Sequence, residues 1–324
     1  LVLIFFMFVS TRRVGTRPYF YLEDKVKGKR LSFFLGLKEQ APSSILGAFD
    51  SLVQSKALEN LKHSQKRFKA NVFGLSELLS LERLKVDYAV LKSFFPMSFE
   101  SLKEEDFVRY AQGSASVEGN SLSLREAALV LQKGIAVSGK KLGEIKEIEN
   151  MRLAAKVSAG VKEFNEKSLL KIHSAIMDGF DEKKPGQFRD GPMFITGSKI
   201  KPPPAQQVSA EIKKLFSWLE KNSTAIHSVE LACEFHARFE EIHPFWDGNG
   251  RVGREVLNLM LQKKGYPRAI INLENRQSYI ALLERVQLNK EYNKFSKFIF
   301  LCLEKRAQEI EKILKENKPQ ILKK

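Results

Sequence analysis

Apolar side chains recur every three or four residues from residue 98 almost to the end of the chain, and this pattern limits the fold more than any other feature. Such spacing is typical of amphipathic helices. Two stretches interrupt it: residues 184–204, which are rich in Gly and Pro, and a short segment after Ile242. The sequence therefore predicts a mainly α fold, with helices over residues 98–118, 123–134, 142–164, 168–177, 208–221, 228–242, 254–265, 276–286 and 292–316.

The N-terminal part of the chain has a different pattern. Residues 18–22 and 31–35 are aromatic-rich runs on either side of a basic, glycine-containing turn, which predicts a small antiparallel sheet. A helical stretch with breaks follows, and it ends before Pro96 because a residue that precedes proline disfavours helical backbone. We therefore expect three parts: an N-terminal region at 1–95, a helical domain at 96–304 and a basic C-terminal helix or tail at 305–324.

The chain is strongly basic, with a formal net charge of +16 at pH 7. An excess of this size raises affinity for polyanions such as nucleic acid and nucleotides. Because Lys and Arg are spread along the predicted helices, a solvated basic surface is favoured over a dedicated nucleic-acid site. A contact with nucleic acid and assembly into a homo-oligomer both stay open.

Cysteine and histidine usage points away from disulfides and zinc. Cys233 and Cys302 lie in apolar helical patterns and are predicted to be small buried hydrophobic residues, and the five histidines lack metal-ligand spacing. The apolar segment 1–9 is too short to span a bilayer as a helix, and no signal-peptide cleavage pattern follows it. We interpret this segment as a buried strand or an artefact, and expect a cytoplasmic protein without membrane contact.

The segment after Ile242 is predicted to bind an anion. Pro244 stops the preceding helix. Gly248 and Gly250 then bracket Asn249 just before the next helix begins, so several backbone N–H groups point towards one place. Turns of this kind cradle phosphate groups.

Four side chains around this turn suit phosphoryl or nucleotidyl transfer. Asp247 offers a hard oxygen to Mg²⁺, and Arg251 and Arg254 offer forked donors to phosphate oxygens. His243 can accept a proton near neutral pH. Each feature alone is weak, but their combination between two helices supplies the positioning and charge neutralisation on which such transfer depends.

The same segment, His243 to Arg254, reads HPFWDGNGRVGR and resembles the Fic/Doc signature HPFx(D/E)GNGRxxR at every specified position. The resemblance extends over about residues 100–302. It implies a Fic-type helical bundle with a short β-hairpin flap, and a protein adenylyltransferase that moves AMP from Mg-ATP to a Ser, Thr or Tyr hydroxyl of a target protein.

The resemblance also implies a role for each residue of the segment. His243 would deprotonate the attacking hydroxyl, and Asp247 would hold the Mg²⁺. Arg251 would contact the leaving pyrophosphate and Arg254 the γ-phosphate. The α- and β-phosphates would be cradled by Asn249 and by the backbone of Gly248 and Gly250. The flap strand, predicted as Met193, Phe194, Ile195 and Thr196, would pair with the target chain as an added strand.

A glutamate near the catalytic loop is predicted to act as a brake. Residues 106–118 form an amphipathic pattern in which Ser114 and Glu118 share a face. A glutamate in the last turn of a helix lies at the negative end of the helix dipole, which is unfavourable unless a cation offsets it. Either a cationic partner or simple solvation is therefore expected for Glu118. Ser114, Glu118 and Gly119 match the inhibitory motif (S/T)xxxE(G/N) of class II Fic proteins. That resemblance implies that Glu118 pairs with Arg254 in place of the γ-phosphate. It also leaves open that Glu118 assists removal of AMP.

Two weaker features complete the prediction. Family members often place two tyrosines against adenine, whereas residues 276–280 contain only Tyr279, which is either a core residue or an ATP-binding residue. The N-terminal aromatic segment resembles a small module found ahead of some archaeal Fic domains. Transfer of another nucleotide or of phosphate, and a basic nucleic-acid-binding protein with a vestigial Fic loop, are the alternative functions.

Overall fold

A computed structural model describes residues 8–14, 17–26, 29–37, 72–194 and 201–321. Within these residues the protein is mainly helical, as predicted. The helices are α1 (Leu75–Phe94), α2 (Pro96–Val117), α3 (Leu124–Lys133), α4 (Leu142–Ala159), α5 (Glu166–Ile176), α6 (Ala205–Asn222), α7 (Ser228–Ile242), α8 (Asn249–Lys263), α9 (Arg276–Asn289) and α10 (Tyr292–Ile321), with short 3-10 turns at Asp181–Lys183 and Leu273–Asn275.

Three strands precede the helices: β1 (Phe8–Val14), β2 (Arg17–Val26) and β3 (Lys29–Leu37). They pair antiparallel in the order β1-β2-β3, and a register shift between Phe20 and Tyr21 interrupts the second pairing. The helical stretch predicted from about residue 42 to Phe94 lies outside the described residues as far as residue 71, and its later part is α1. The division of the chain at residues 95 and 304 stays a prediction.

Helices α7 and α8 lie between two hydrophobic clusters and form the centre of the bundle. The first cluster takes Ala237 of α7 and Leu257 of α8, together with residues of α1, α9 and α10. The second takes Phe239 of α7 and Val256 of α8, together with residues of α5 and α6. The loop that joins α7 to α8 is anchored in the second cluster through Phe245.

The two cysteines belong to the first cluster. Cys233 and Cys302 are buried free thiols, which confirms their prediction as small hydrophobic residues. Among the described helices, none has the combination of length and apolarity that crossing a bilayer would require.

Two predicted helix boundaries were wrong for local reasons. Helix α8 begins at Asn249 rather than at Arg254, because the left-handed backbone of Gly248 (φ 77°) already ends the turn before it. Helix α4 ends at Ala159 rather than at residue 164, although Val161 and Phe164 still pack against the second cluster from irregular backbone. Apolar spacing reports packing, and here packing continues beyond the helix.

The predicted flap is described only in part. Met193 and Phe194 have irregular backbone, and Phe194 is 85% exposed. Ile195 and Thr196 lie outside the described residues, so the flap strand and its hairpin stay a prediction.

A close backbone approach fixes α2 against the segment that follows α8. A Cβ added at Gly113 would lie 2.5 Å from the carbonyl oxygen of Ile271, which is a main-chain atom with little freedom to move. Because Gly113 directly precedes Ser114, this contact also fixes the position of the C-terminal end of α2 relative to α8.

The Gly113→Ala substitution is expected to lower the free energy of unfolding by about 1–3 kcal/mol, because the added methyl group must push two backbones apart. The measurement is chemical denaturation followed by circular dichroism. Gly143→Ala is the matched control, since its Cβ would meet Phe180 at an ordinary 3.8 Å. Equal midpoints for the two variants would contradict the close approach.

Candidate active site

The loop between α7 and α8 is closed by its own side chains. Helix α7 ends at Ile242, and His243 follows in a left-handed conformation (φ 47°), which is uncommon for a residue other than glycine. Asn249 accepts a hydrogen bond from the N–H of Phe245 at 2.9 Å and donates one to its carbonyl oxygen at 2.8 Å. The amide of Asn249 thus shapes the loop, and its predicted phosphate contact stays a prediction.

His173 supports the loop from α5, and the sequence did not single it out. Its ring stacks on Phe245 with centroids 3.6 Å apart. Its Nδ1 accepts a hydrogen bond from the N–H of Gly186 at 2.9 Å, so Nε2 carries the proton and donates to the carbonyl of Asp247 at 3.2 Å. Burial lowers the pKa of His173 to about 4, which keeps the ring neutral in this role.

Arg189 is a second supporting residue whose role sequence reasoning missed. It is buried, its Nε donates to the carbonyl of His243 at 2.9 Å, and its backbone N–H donates to the carbonyl of Pro244 at 2.9 Å. The remaining guanidinium nitrogens donate to carbonyls of Gly191 and Pro203. Arg189 therefore ties the flap region to the backbone that carries His243.

His243 is in the protonation state that a general base needs. Burial lowers its pKa to about 4, and the carboxylate of Glu118 opposes this shift only in part. The ring is consequently neutral around pH 7 and can accept a proton.

Asp247 presents an accessible carboxylate beside the start of α8. Its side chain is 42% exposed, and its Oδ1 accepts hydrogen bonds from the N–H of Gly248 at 2.6 Å and from Arg251 at 3.1 Å. Its Oδ2 lies 3.8 Å from the ammonium group of Lys183. This carboxylate is thus placed where a phosphate-bound cation could reach it.

Arg254 is almost fully buried and is held by the end of α2. Its Nε donates to the hydroxyl of Ser114 at 2.9 Å, and its Nη2 donates to the carbonyl of Ser114 at 2.8 Å and to the carboxylate of Glu118 at 2.7 Å. Glu118 is the first residue after α2, and Gly119 follows it in a left-handed conformation (φ 103°). The ion pair implied by the resemblance is therefore present.

Arg251 is buried too, and it has a partner that the sequence did not reveal. One of its nitrogens lies 3.0 Å from the carboxylate of Glu147 on α4, and another contacts Asp247. Nothing in the local pattern marks Glu147, since α4 carries several glutamates at helical spacing.

Tyr279 lies beneath Arg254, in the first hydrophobic cluster. It is 2% exposed, and its hydroxyl lies 2.8 Å from Nε2 of His236 and 3.4 Å from Nη1 of Arg254. This burial favours the core interpretation. Contact with adenine stays a prediction.

The arrangement fits a triphosphate and a divalent cation. A Cβ at Gly250 would lie 2.1 Å from a carboxylate oxygen of Glu118 and 2.8 Å from Arg254, so the glycine keeps open a space that the glutamate now fills. The Nε and Nη1 of Arg251 are both buried without a hydrogen-bond partner. Within the described residues, groups of three or more His, Cys, Asp or Glu that could hold a metal are absent, so a cation at Asp247 would need phosphate oxygens as further ligands.

The Asn249→Ala substitution is expected to lower the free energy of unfolding by about 1–3 kcal/mol, because the N–H and carbonyl of Phe245 would stay buried without partners. Thermal and urea denaturation measure this loss. Asn289→Ala, at the exposed end of α9, is the control. A stability equal to that of the control would show that the side-chain amide does not close the loop.

Comparison with known proteins places this geometry in a family. Residues 163–261 match the model of the Fic/DOC family. A protein adenylyltransferase Fic from Aedes aegypti is 31% identical over 215 residues, which are 64% of this chain and 42% of that protein. The corresponding protein from Drosophila virilis is 31% identical over 208 residues, 63% of this chain and 42% of that protein. The chain thus spans less than half the length of these curated relatives.

Solved structures share the fold. A glutamate-to-glycine variant of Fic-1 from C. elegans aligns with a TM-score of 0.67 and 25% identity, over 75% of this chain and 73% of that one. A Fic-domain signaling protein from Bacteroides thetaiotaomicron aligns with a TM-score of 0.67 and 21% identity, over 73% and 97%, and supports the fold alone. Residues 163–261, which include the signature segment from His243 to Arg254, therefore form a domain that matches the Fic/DOC family.

Proposed function

We propose that this protein transfers AMP from Mg-ATP to a Ser, Thr or Tyr hydroxyl of a target protein. The observation that carries the proposal is the position of a neutral His243 and Asp247 in the loop directly before the two buried arginines of α8. The curated relatives named protein adenylyltransferase Fic support it at the level of the family.

Each residue of the loop has a role in the proposed reaction. His243 takes the proton of the attacking hydroxyl, whose oxygen forms the new bond to the α-phosphorus while the bond to the bridging oxygen of pyrophosphate breaks. Arg251 binds the departing pyrophosphate, and Arg254 binds the γ-phosphate. The first N–H groups of α8, at Asn249 and Gly250, face the α- and β-phosphates. A Mg²⁺ held by Asp247 would neutralise part of the phosphate charge.

Glu118 is proposed to inhibit this reaction. Its carboxylate occupies the space above Gly250 and binds Arg254, so it competes with a phosphate group for the same guanidinium. Ser114 strengthens the inhibited state, because it supplies two further contacts to Arg254. The same carboxylate is proposed to assist removal of AMP when it remains near the loop.

The target would approach along the flap. We propose that Met193, Phe194, Ile195 and Thr196 bind it as an added strand, and the 85% exposure of Phe194 supports a surface that contacts another chain. A cytoplasmic location, and contacts with nucleic acid or with a second copy of the chain, stay proposals.

The decisive experiment incubates the protein with Mg²⁺ and ATP labelled on either the α- or the γ-phosphate. We expect Glu118→Gly to raise transfer of α-label to protein and His243→Ala to abolish it, with γ-label absent from protein throughout. Glu118→Gln, which keeps the shape but loses the charge, should also raise transfer. Label from γ-labelled ATP would favour phosphate transfer, and transfer from labelled UTP but not ATP would favour another nucleotide.

The nucleic-acid alternative predicts a different outcome of that experiment. If all variants leave the protein unlabelled while the protein binds DNA with a steep salt dependence, the Fic loop is vestigial. If Glu118→Gly transfers AMP no faster than the wild type, Glu118 is not a brake.

The pH profile gives a second test of His243. Because its pKa in the folded protein is lowered to about 4, the proton-accepting form predominates above that pH and is lost as the pH falls through it. The acidic limb of kcat/KM for Glu118→Gly is therefore expected near or below pH 4, since removing the nearby carboxylate lowers this pKa further. A limb at the ordinary histidine value of about 6.5 would contradict the lowered pKa of His243.

A further inference from the structure

Glu147 joins the catalytic loop to the turn that carries Glu118. One of its carboxylate oxygens, Oε1, lies 3.0 Å from Nη1 of Arg251, which is an ion pair without hydrogen-bond geometry. The other, Oε2, accepts a hydrogen bond from the side-chain amide of Asn120 at 2.9 Å. Arg251 is 3% exposed, so its charge depends on nearby carboxylates rather than on water.

The position of Glu147 is set by its neighbours on α4. Ile148 and Asn150 are buried, and the amide of Asn150 donates to the carbonyls of Ile176 at 3.0 Å and Asp178 at 2.8 Å. The backbone at Glu147 is therefore fixed against α5. Asn120 is fixed as well, because it donates to the carbonyl of Glu144 at 2.9 Å and accepts from the N–H of Leu122 at 3.1 Å.

The two carboxylates that hold Arg251 differ in what nucleotide binding does to them. Asp247 is 42% exposed and is the proposed metal ligand, so a cation would draw its oxygens away from the guanidinium. Glu147 lies on α4 and pairs with Nη1 of Arg251, whereas Asp247 contacts Nη2. Glu147 would therefore remain an acidic partner of Arg251 if Asp247 bound a cation.

We propose that Glu147 is a positioning residue for AMP transfer: it orients the guanidinium of Arg251 towards the leaving pyrophosphate, and Asn120 orients Glu147. This rests on the proposed function of the loop. Glu147 acts through Arg251, without contact to the reacting atoms.

A competing effect of Glu147 has the opposite sign. A carboxylate near the phosphate site repels a triphosphate, and if repulsion dominated, loss of the charge would tighten nucleotide binding. Glu147 pairs directly with a buried guanidinium, and a buried cation that loses a partner loses its fixed orientation and is strongly destabilised. Positioning is therefore expected to dominate.

The test uses the full chain with Glu118→Gly, which removes the proposed brake. Into it we introduce Glu147→Gln, Arg251→Ala, both together, or Glu149→Gln. The last is the matched control, because Glu149 is exposed on the same helix. Steady-state AMP transfer gives kcat and KM for ATP, and calorimetry gives the affinity for inorganic pyrophosphate with Mg²⁺.

Glu147→Gln is expected to lower kcat by about tenfold or more, with a smaller change in KM, because misplacing a group that acts at the transition state costs rate rather than ground-state binding. It should also weaken binding of pyrophosphate. Glu149→Gln should change neither quantity. In the Arg251→Ala background, Glu147→Gln should have little further effect, since its action runs through Arg251.

Two outcomes would overturn the proposal. A rise in kcat/KM or in pyrophosphate affinity would make Glu147 a competitor of the substrate, and equal losses with and without Arg251 would make its role merely structural. If the Glu118→Gly protein transfers no AMP, the proposed function fails, but pyrophosphate affinity still decides the role of Glu147. A loss of pyrophosphate affinity in Glu147→Gln that disappears in the Arg251→Ala background supports positioning. A loss that persists in that background, or no loss at all, refutes it.

Discussion

The burial of two arginine side chains at the start of α8 is the constraint on which the rest of the site depends. Arg251 and Arg254 are each at most 3% exposed, and a guanidinium removed from water needs hydrogen-bond acceptors and negative charge close by. Helices α2 and α4 supply both, through Glu118, Ser114 and Glu147. Folding of the bundle and preparation of an anion site are thus the same process.

In the proposed function, this constraint makes inhibition by Glu118 and binding of ATP two alternative ways to neutralise the buried charge of Arg254. Arg254 is satisfied by the carboxylate of Glu118 at 2.7 Å, and a phosphate oxygen offers an equivalent charge-assisted bond. Loss of Glu118 without a replacement would leave a buried cation unpaired, so the proposed mechanism requires the two anions to exchange at Arg254. The glycine at 250 leaves room for either occupant.

The sequence predicted the site residues that are adjacent in the chain and missed those that folding brings to the loop from distant segments. The catalytic loop could be found because its residues lie side by side in the chain, and the mainly helical fold followed from apolar spacing. His173, Arg189 and Glu147 contact the loop from distant segments, and their types and spacing resemble those of ordinary surface or core residues until the chain is folded. For Tyr279 the sequence left a core role and an ATP-binding role open, and only the folded chain shows that its ring is enclosed in the core.

Gly119 lets the chain turn directly after Glu118, the proposed inhibitory residue. Its left-handed backbone separates Glu118 from Asn120, whose amide is anchored to α4 at Glu144 and Glu147, and the space where its Cβ would lie is empty to 4 Å. The carboxylate of Glu118 is 39% exposed, and in the proposed inhibition it would leave Arg254 by rotation of its own side chain. In the proposed inhibition, opening removes the carboxylate partner of the buried Arg254, so an anion that binds Arg254 would shift the balance towards the open state.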